Sequence, residues 1–207
     1  MLRRGRIITA LIALGFAAAG CGDFKRWAYS GGDRDGWQKP DQVMAELGLE
    51  PGDRAADIGA GGGYFSFRLA DAVGDTGRVY AVDVDREMLD YLALKAEEKG
   101  YAGVEVVEAE FQDPKIPEPV DLILIVNTYH HLEGRTAYFE NARRYLLDGG
   151  RVAVIDFKRR GLFSRLFGIY TDPSIIRSEM EAAGYREVES HDFLSRQNFQ
   201  IFSRAED

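Results

Sequence analysis

The sequence predicts an α/β fold: a doubly wound, mostly parallel sheet with helices on both of its faces. Three observations carry this. From Arg54 onward, short apolar runs bounded by turn residues alternate with longer stretches of helical period, which is the βαβ pattern. A glycine cluster, Gly59-Ala60-Gly61-Gly62-Gly63, falls at the junction of the first such run and the helical stretch after it. The run Val120 to Val126 is apolar almost throughout, as suits a central parallel strand buried on both faces.

The elements follow in order. Pro40 and Asp41 open a helix, Val43, Met44 and Leu47 space its apolar face, and Gly48 ends it. After a turn at Pro51-Gly52-Asp53, Arg54 to Ile58 reads as the first strand, Tyr64 to Val73 as a helix and Gly77 to Val82 as the second strand. Glu87 to Lys99 carries Met88, Leu89, Leu92 and Ala96 at helical spacing, Val104 to Val107 is a short third strand, and Val120 to Val126 is the fourth. Tyr138 to Leu147 reads as a helix, Gly150 to Phe157 as the fifth strand, and Ser174 to Ala183 as a helix stopped by Gly184. Two strands, near Arg186 to Ser190 and Phe199 to Phe202, close the sheet.

The 207 residues, 45% hydrophobic and 29% charged, suit one domain with one core. Its expected extent is 39–207. Residues 22–38 are rich in Gly, Asp and aromatic side chains without periodicity, so 21–38 reads as a tether leading into an N-terminal lid segment. Residues 1–20 differ: Arg3, Arg4 and Arg6 precede an uncharged run, Ile7 to Gly20, that ends in small residues. As a helix this run rises only about 21 Å, short of a bilayer core of about 30 Å, so a signal peptide fits better than a permanent span. Ala18-Ala19-Gly20-Cys21 resembles a bacterial lipobox, with Ala18 where Leu is usual, and implies lipidation of Cys21 after cleavage and a place in the cell envelope on the periplasmic side. The same residues also suit an uncleaved anchor, or a start site set too far upstream of a cytoplasmic protein. Cys21 is the single cysteine, which excludes an internal disulfide and a cysteine-based metal site. Three histidines, poorly spaced, give no metal site either. Loss of residues 1–20 removes three arginines and no acids, taking the formal charge from −8 to −11, so no nucleic-acid footprint is expected.

The chemistry concentrates at strand ends. In Asp57-Ile58-Gly59-Ala60-Gly61-Gly62-Gly63-Tyr64 the backbone must pass close to a ligand, where side chains would obstruct it. A nicotinamide-type G-x-G-x-x-G would need glycine at Tyr64; the spacing is instead D-x-G-x-G-x-G, through Asp57, Gly59, Gly61 and Gly63. Asp83 ends the second strand, where a carboxylate can accept two hydrogen bonds from vicinal ribose hydroxyls, so an adenosine-bearing cofactor is implied. Asp85 suits the cap of the next helix.

The glycine motif resembles the first motif of class I S-adenosylmethionine-dependent methyltransferases. The resemblance runs over roughly residues 39–204 and is nearest to the small ubiquinone/menaquinone-type group. It implies a Rossmann-like seven-stranded sheet with an antiparallel last strand, and S-adenosyl-L-methionine as the cofactor. It further implies that Glu110 meets the adenine amino group with Phe111 beside the ring. The segment Asp121 to Leu132, with Asn127, would pass under the methionine moiety and then face the acceptor. Methyl transfer from a sulfonium is an in-line displacement, so alignment supplies much of the rate and a base is needed only where the acceptor must lose a proton. His130 and His131 are the candidates for that base, against the alternative that one caps the loop while the other packs. Tyr29, Trp37 and Tyr64 would wall the pocket or pack a lid, and His191 reads as structural.

The expected function is methyl transfer to a small-molecule acceptor. A lipoprotein that binds S-adenosylmethionine or S-adenosylhomocysteine without turnover stays open, because the donor is made in the cytosol; a nucleotide-dependent oxidoreductase is disfavoured by Tyr64. If Leu162 to Tyr170 is helical, its Leu, Phe, Ile and Tyr side chains fall within an arc of roughly 160° flanked by Arg159, Arg160 and Arg165. Such a face serves either as a lid over the pocket or as a second membrane contact beside lipidated Cys21.

Overall fold

The computed structural model describes residues 34–158 and 170–205. Residues 1–20, read above as a signal segment, Cys21, Tyr29 and residues 162–169 lie outside them. Helices are α1 (Asp35–Gln38), α2 (Pro40–Leu47), α3 (Ser66–Val73), α4 (Arg86–Lys99), α5 (Arg135–Ala142) and α6 (Pro173–Ala182). Strands are β1 (Arg54–Ile58), β2 (Arg78–Asp83), β3 (Val104–Glu108), β4 (Val120–Val126), β5 (Leu146–Phe157), β6 (Tyr185–His191) and β7 (Gln197–Arg204). They form one seven-stranded sheet in the order β3-β2-β1-β4-β5-β7-β6. β1 pairs in parallel with β2 and β4, and β7 runs antiparallel to both of its neighbours, as expected for the last strand.

The period-2 geometry of β4 sorts its apolar run onto two faces. Ile123 and Ile125 join Phe139 and Ala142 of α5 and Ile176 and Met180 of α6. Leu122, Leu124 and Val126 join Val43 and Leu47 of α2 and Leu69 and Val73 of α3. Covering both faces is what the nearly continuous apolar run requires. Asp85 caps α4 as expected, accepting from the amides of Glu87 and Met88, and Gly48 ends α2 at φ +57.

Several element boundaries differ from expectation. α3 begins at Ser66 rather than Tyr64, because residues 60–65 wind through turns in which Gly63 N–H donates to the Ala60 carbonyl at 2.9 Å. The helix read as Tyr138 to Leu147 starts earlier, at Arg135, and gives way to a 3-10 turn over Arg143–Tyr145. That tighter turn prolongs a helical spacing while redirecting the chain, so buried Leu146 already pairs with Val120 in the sheet. α1 went unread because four residues carry no period.

Candidate active site at the ends of the central strands

Crossovers leave β1 in one direction towards β2 and in the other towards β4, so a crevice opens above the carboxyl ends of these strands. The glycine turn lies in it. Gly59 sits at φ +77, and both its N–H and that of Ala60 donate to the Val82 carbonyl, at 2.8 and 3.1 Å. A Cβ on Gly59 would stand 2.1 Å from Thr128 Oγ1, so glycine is required here by close approach as well as by φ. Gly61 and Gly63 also take positive φ. Asp83 closes the turn: its carboxylate accepts from Gly61 N–H at 2.9 Å through one oxygen and from Asp85 N–H at 3.0 Å through the other.

Two cavities meet over this turn. One, of about 400 Å³, is lined by Ile58, Val82, Ala109, Glu110, Phe111 and Tyr138. The other, of about 580 Å³, is lined by Arg34, Trp37, Asp57, Tyr64, Asn127 and Phe157. Gly59, Asp83, Val84, Thr128 and His131 line both. Each cofactor-binding residue expected from the sequence, apart from Gly61 and Gly63 in the turn itself, therefore borders a cavity.

Their states differ. Asp57 is buried and accepts a hydrogen bond from Ser66 Oγ at 2.7 Å. Burial pushes its carboxyl up to about 6, with Ser66 acting against the shift and the charge of Asp83 adding to it. Phe111 is 80% exposed on the cavity rim, an apolar ring without apolar cover. Glu110 pairs with Lys115 Nζ. Asn127 sits at φ +55, a conformation Asn tolerates better than most residues, and its Oδ1 accepts from Gln197 Nε2 at 2.7 Å, so its side chain ties β4 to β7 while the residue borders the cavity.

The two histidines divide. They sit with Tyr129 on a 3-10 turn after β4, held by Tyr129 Oη donating to Glu179, which also takes a two-pronged pair from Arg135 at 2.7 and 2.9 Å. His131 lines both cavities, and its pKa is lowered, by burial first and by neighbouring His130 second, while Asp156 opposes. The His130 side chain is only 5% exposed; its Nδ1 lies 2.6 Å from Oδ1 of buried Asp156, whose Oδ2 has no hydrogen-bond partner among the described residues. The His130 ring stands 4.1 Å from that of His131 and 6.2 Å from that of Phe157, directly behind the cavity wall. Asp156 was not foreseen: an acid near a strand end gives no signal until β4 and β5 pair and bring it beside the histidine turn.

Trp37 stacks on Phe157 with centroids 6.0 Å apart, and Arg196 lies over Trp37. The structural expectation for His191 fits its surroundings. Its Nδ1 is 3.8 Å from Glu46 and its Nε2 3.3 Å from Glu189, so the two acids bracket the ring rather than converge on one nitrogen.

Residues 49–204 match the family model described as a methyltransferase domain. The chain belongs to the methyltransferase domain family. It is 31% identical over 147 residues to a ubiquinone/menaquinone biosynthesis C-methyltransferase from Teredinibacter turnerae, covering 69% of this chain and 58% of that protein. A protein of the same name from Ectopseudomonas mendocina is 30% identical over 130 residues, covering 60% of this chain and 50% of the relative. The chain thus spans little more than half the length of these relatives. A crystal structure of a SAM-dependent methyltransferase from Aquifex aeolicus superposes with a TM-score of 0.74 at 28% identity, covering 83% of this chain and 92% of that one. The site at the ends of the central strands fits an S-adenosylmethionine-type donor. The cradle at Gly59 leaves room only for backbone, Asp83 faces the junction of two joined cavities, and acids and apolar surfaces line the smaller one.

Proposed function

We propose that this methyltransferase transfers a methyl group from S-adenosyl-L-methionine to a small, largely apolar acceptor bound in the larger cavity. The observation that carries the reading is the joined pair of cavities over Asp83 and the glycine turn. Bound there, the donor supplies an electrophilic methyl group on a sulfonium. Asp83 holds the ribose hydroxyls, Glu110 and Phe111 the adenine, and Asp57, Gly59 and the Asn127 backbone the methionyl end. Trp37, Phe157 and Tyr64 leave an aromatic-walled remainder that excludes water from the acceptor and aligns it, which for a displacement is a large part of catalysis. His131 faces that space with a neutral imidazole near pH 7, able to take a proton from an acceptor hydroxyl or acidic carbon. The aromatic walls favour turnover over mere binding.

Calorimetry of the full-length protein with S-adenosylhomocysteine tests the donor site. Asp83→Ala removes a charged acceptor worth about 1.5 to 3 kcal/mol per hydrogen bond, so affinity is expected to fall at least about tenfold at neutral pH. The wild type carries a pH signature from Asp57. Its carboxyl, raised to about 6, is neutral below that pH and must ionise to face the ligand ammonium, so affinity rises from pH 5 to 7 and levels above. The same shift makes Asp57 favour the folded state below about pH 4 and lose that contribution as pH rises through 6. Asp57→Asn should flatten the binding profile. An unchanged dissociation constant in Asp83→Ala removes the assignment.

The envelope location is part of the same proposal: lipidated Cys21 anchors the protein, and the sequence stretch Leu162 to Tyr170, rich in aromatic residues and preceded by Arg159 and Arg160, adds a membrane contact, which suits an apolar acceptor. Among the described residues no helix is long and apolar enough to cross a membrane. Metabolic labelling with an alkyne fatty acid should mark the wild type and not Cys21→Ser; a wild type that never labels returns the protein to the cytoplasm.

A further inference from the structure

His191 ends β6, the edge strand of the sheet, and two carboxylates reach it from different elements. Glu189 comes from the same strand and Glu46 from α2, which packs on the sheet through Val43 and Leu47. A break in the strand register brings them together. Glu187 lies opposite Phe202, part of the core on the α6 side, and the shift after it sets Glu189 opposite Ile201 and His191 opposite Phe199, both part of the core on the α2 side. One ligand atom from each of Glu46, Glu189 and His191 lies within 4.8 Å of those of the other two.

The imidazole is held in place by packing. Its ring centre lies 4.7 Å from that of Phe199 and 5.9 Å from that of Phe193, and the side chain is only 16% exposed. Nε2 is buried and makes no hydrogen bond among the described residues, although Glu189 Oε2 stands 3.3 Å from it. Two donors of one tetrahedral ion have that separation: with metal–ligand distances of about 2.0–2.1 Å, neighbouring donors sit roughly 3.3 Å apart. Glu46 Oε2 is 3.8 Å from Nδ1, on the other flank of the ring. It must swing to share an ion with Glu189, and both glutamates are exposed enough to turn through solvent, at 39% and 44%.

Chemistry narrows the ion. Two carboxylates on one site repel each other, and a divalent cation offsets both. Mg²⁺ and Ca²⁺ take oxygen donors, whereas one imidazole nitrogen with two carboxylate oxygens suits Zn²⁺. The spacing of the three histidines gave no metal site because the other two ligands are glutamates, one of them on a distant element. We infer that His191 Nε2, Glu189 and Glu46 bind Zn²⁺, which joins α2 to the edge strand. None of the three lines the cavities over the glycine turn, so the site is separate from the proposed donor and acceptor positions. Its role is to brace. Only Lys39 separates α2 from α1, whose Trp37 stacks on Phe157 at the cavity wall.

Calorimetry with Zn²⁺ alone tests this, on untagged full-length protein carrying Cys21→Ser so that no thiol competes. One equivalent is expected to bind, with Mg²⁺ and Ca²⁺ at least about 100-fold weaker. His191→Gln should abolish the binding, and Glu46→Gln and Glu189→Gln should each weaken it at least about tenfold. Zn²⁺ at a hundredfold excess over its dissociation constant should raise the melting temperature by about 5–10 °C, a shift lost in His191→Gln. Circular dichroism checks that His191→Gln folds, and the two exposed glutamates supply variants that leave the core untouched. A protein that binds no Zn²⁺, or binding that survives His191→Gln, overturns the inference: the three side chains are then an ion-paired cluster that fastens α2 to β6. Loss of binding in His131→Ala would move the ion to the histidine turn and overturn it too. Equal affinity for Ca²⁺ also does so, since the acids alone would then hold the ion.

Discussion

Gly59→Ala is expected to weaken S-adenosylhomocysteine binding by at least 100-fold and to lower the melting temperature by about 5–10 °C. A left-handed backbone costs a residue with a Cβ about 1–2 kcal/mol, and overpacking adds about 1–3 kcal/mol. Neither cost can relax easily. The amides of Gly59 and Ala60 both donate to the Val82 carbonyl, so the turn is tied to β2 and cannot retreat. The new methyl would stand 2.1 Å from Thr128 Oγ1, 2.6 Å from its Cγ2 and 2.8 Å from its Cβ. Thr128 must therefore move, and it borders both cavities. Adding Thr128→Ala removes the two nearest atoms and should restore part of both losses, a coupling that a double-mutant cycle measures. Wild-type affinity in Gly59→Ala would mean that the close approach of β1 to the loop after β4 does not shape the donor site.

What could be read beforehand follows from range. The order and type of nearly every element were legible because burial on one or two faces writes its period directly into neighbouring residues, as β4 shows. The glycine turn and Asp83 were legible for a related reason: close backbone approach and a strand-end acid are local requirements. Asn127, expected under the methionine moiety, borders the larger cavity, but its side chain is directed by Gln197, 70 residues further on, a partner that exists only once β7 lies beside β5. Asp156 escaped notice similarly. It is an ordinary charged residue in sequence, and it acquires a task from a neighbour supplied by the fold, the histidine turn. His130 and His131 were indistinguishable as a pair: their rings lie side by side, 4.1 Å apart, and only packing against Asp156 decides which one meets the cavity.

That division gives the largest expected effect on turnover. His131→Ala is expected to lower the methylation rate by about 10² to 10⁴ for an acceptor that must lose a proton, with S-adenosylhomocysteine affinity changed little. The proposed base is His131, because it lines the cavity, whereas His130 is withdrawn against Asp156. As His131 takes a proton its positive charge is opposed by His130 and favoured by Asp156. Asp156→Asn removes the favourable charge, so the acid limb of the pH–rate profile should move to lower pH while the plateau falls with the weaker base. Replacing His130 does something else: it leaves the Asp156 carboxylate buried without a partner, so His130→Ala should mainly destabilise the fold, by about 3 kcal/mol or more. Turnover is followed as S-adenosylhomocysteine released from the donor in the presence of an apolar host extract that supports the wild type. Raising the pH until the acceptor ionises by itself should bring His131→Ala back towards the wild-type rate, a recovery that a purely structural defect would not show. If His131→Ala keeps its rate at neutral pH while His130→Ala folds normally and loses turnover, the base is His130 and the assignment is reversed.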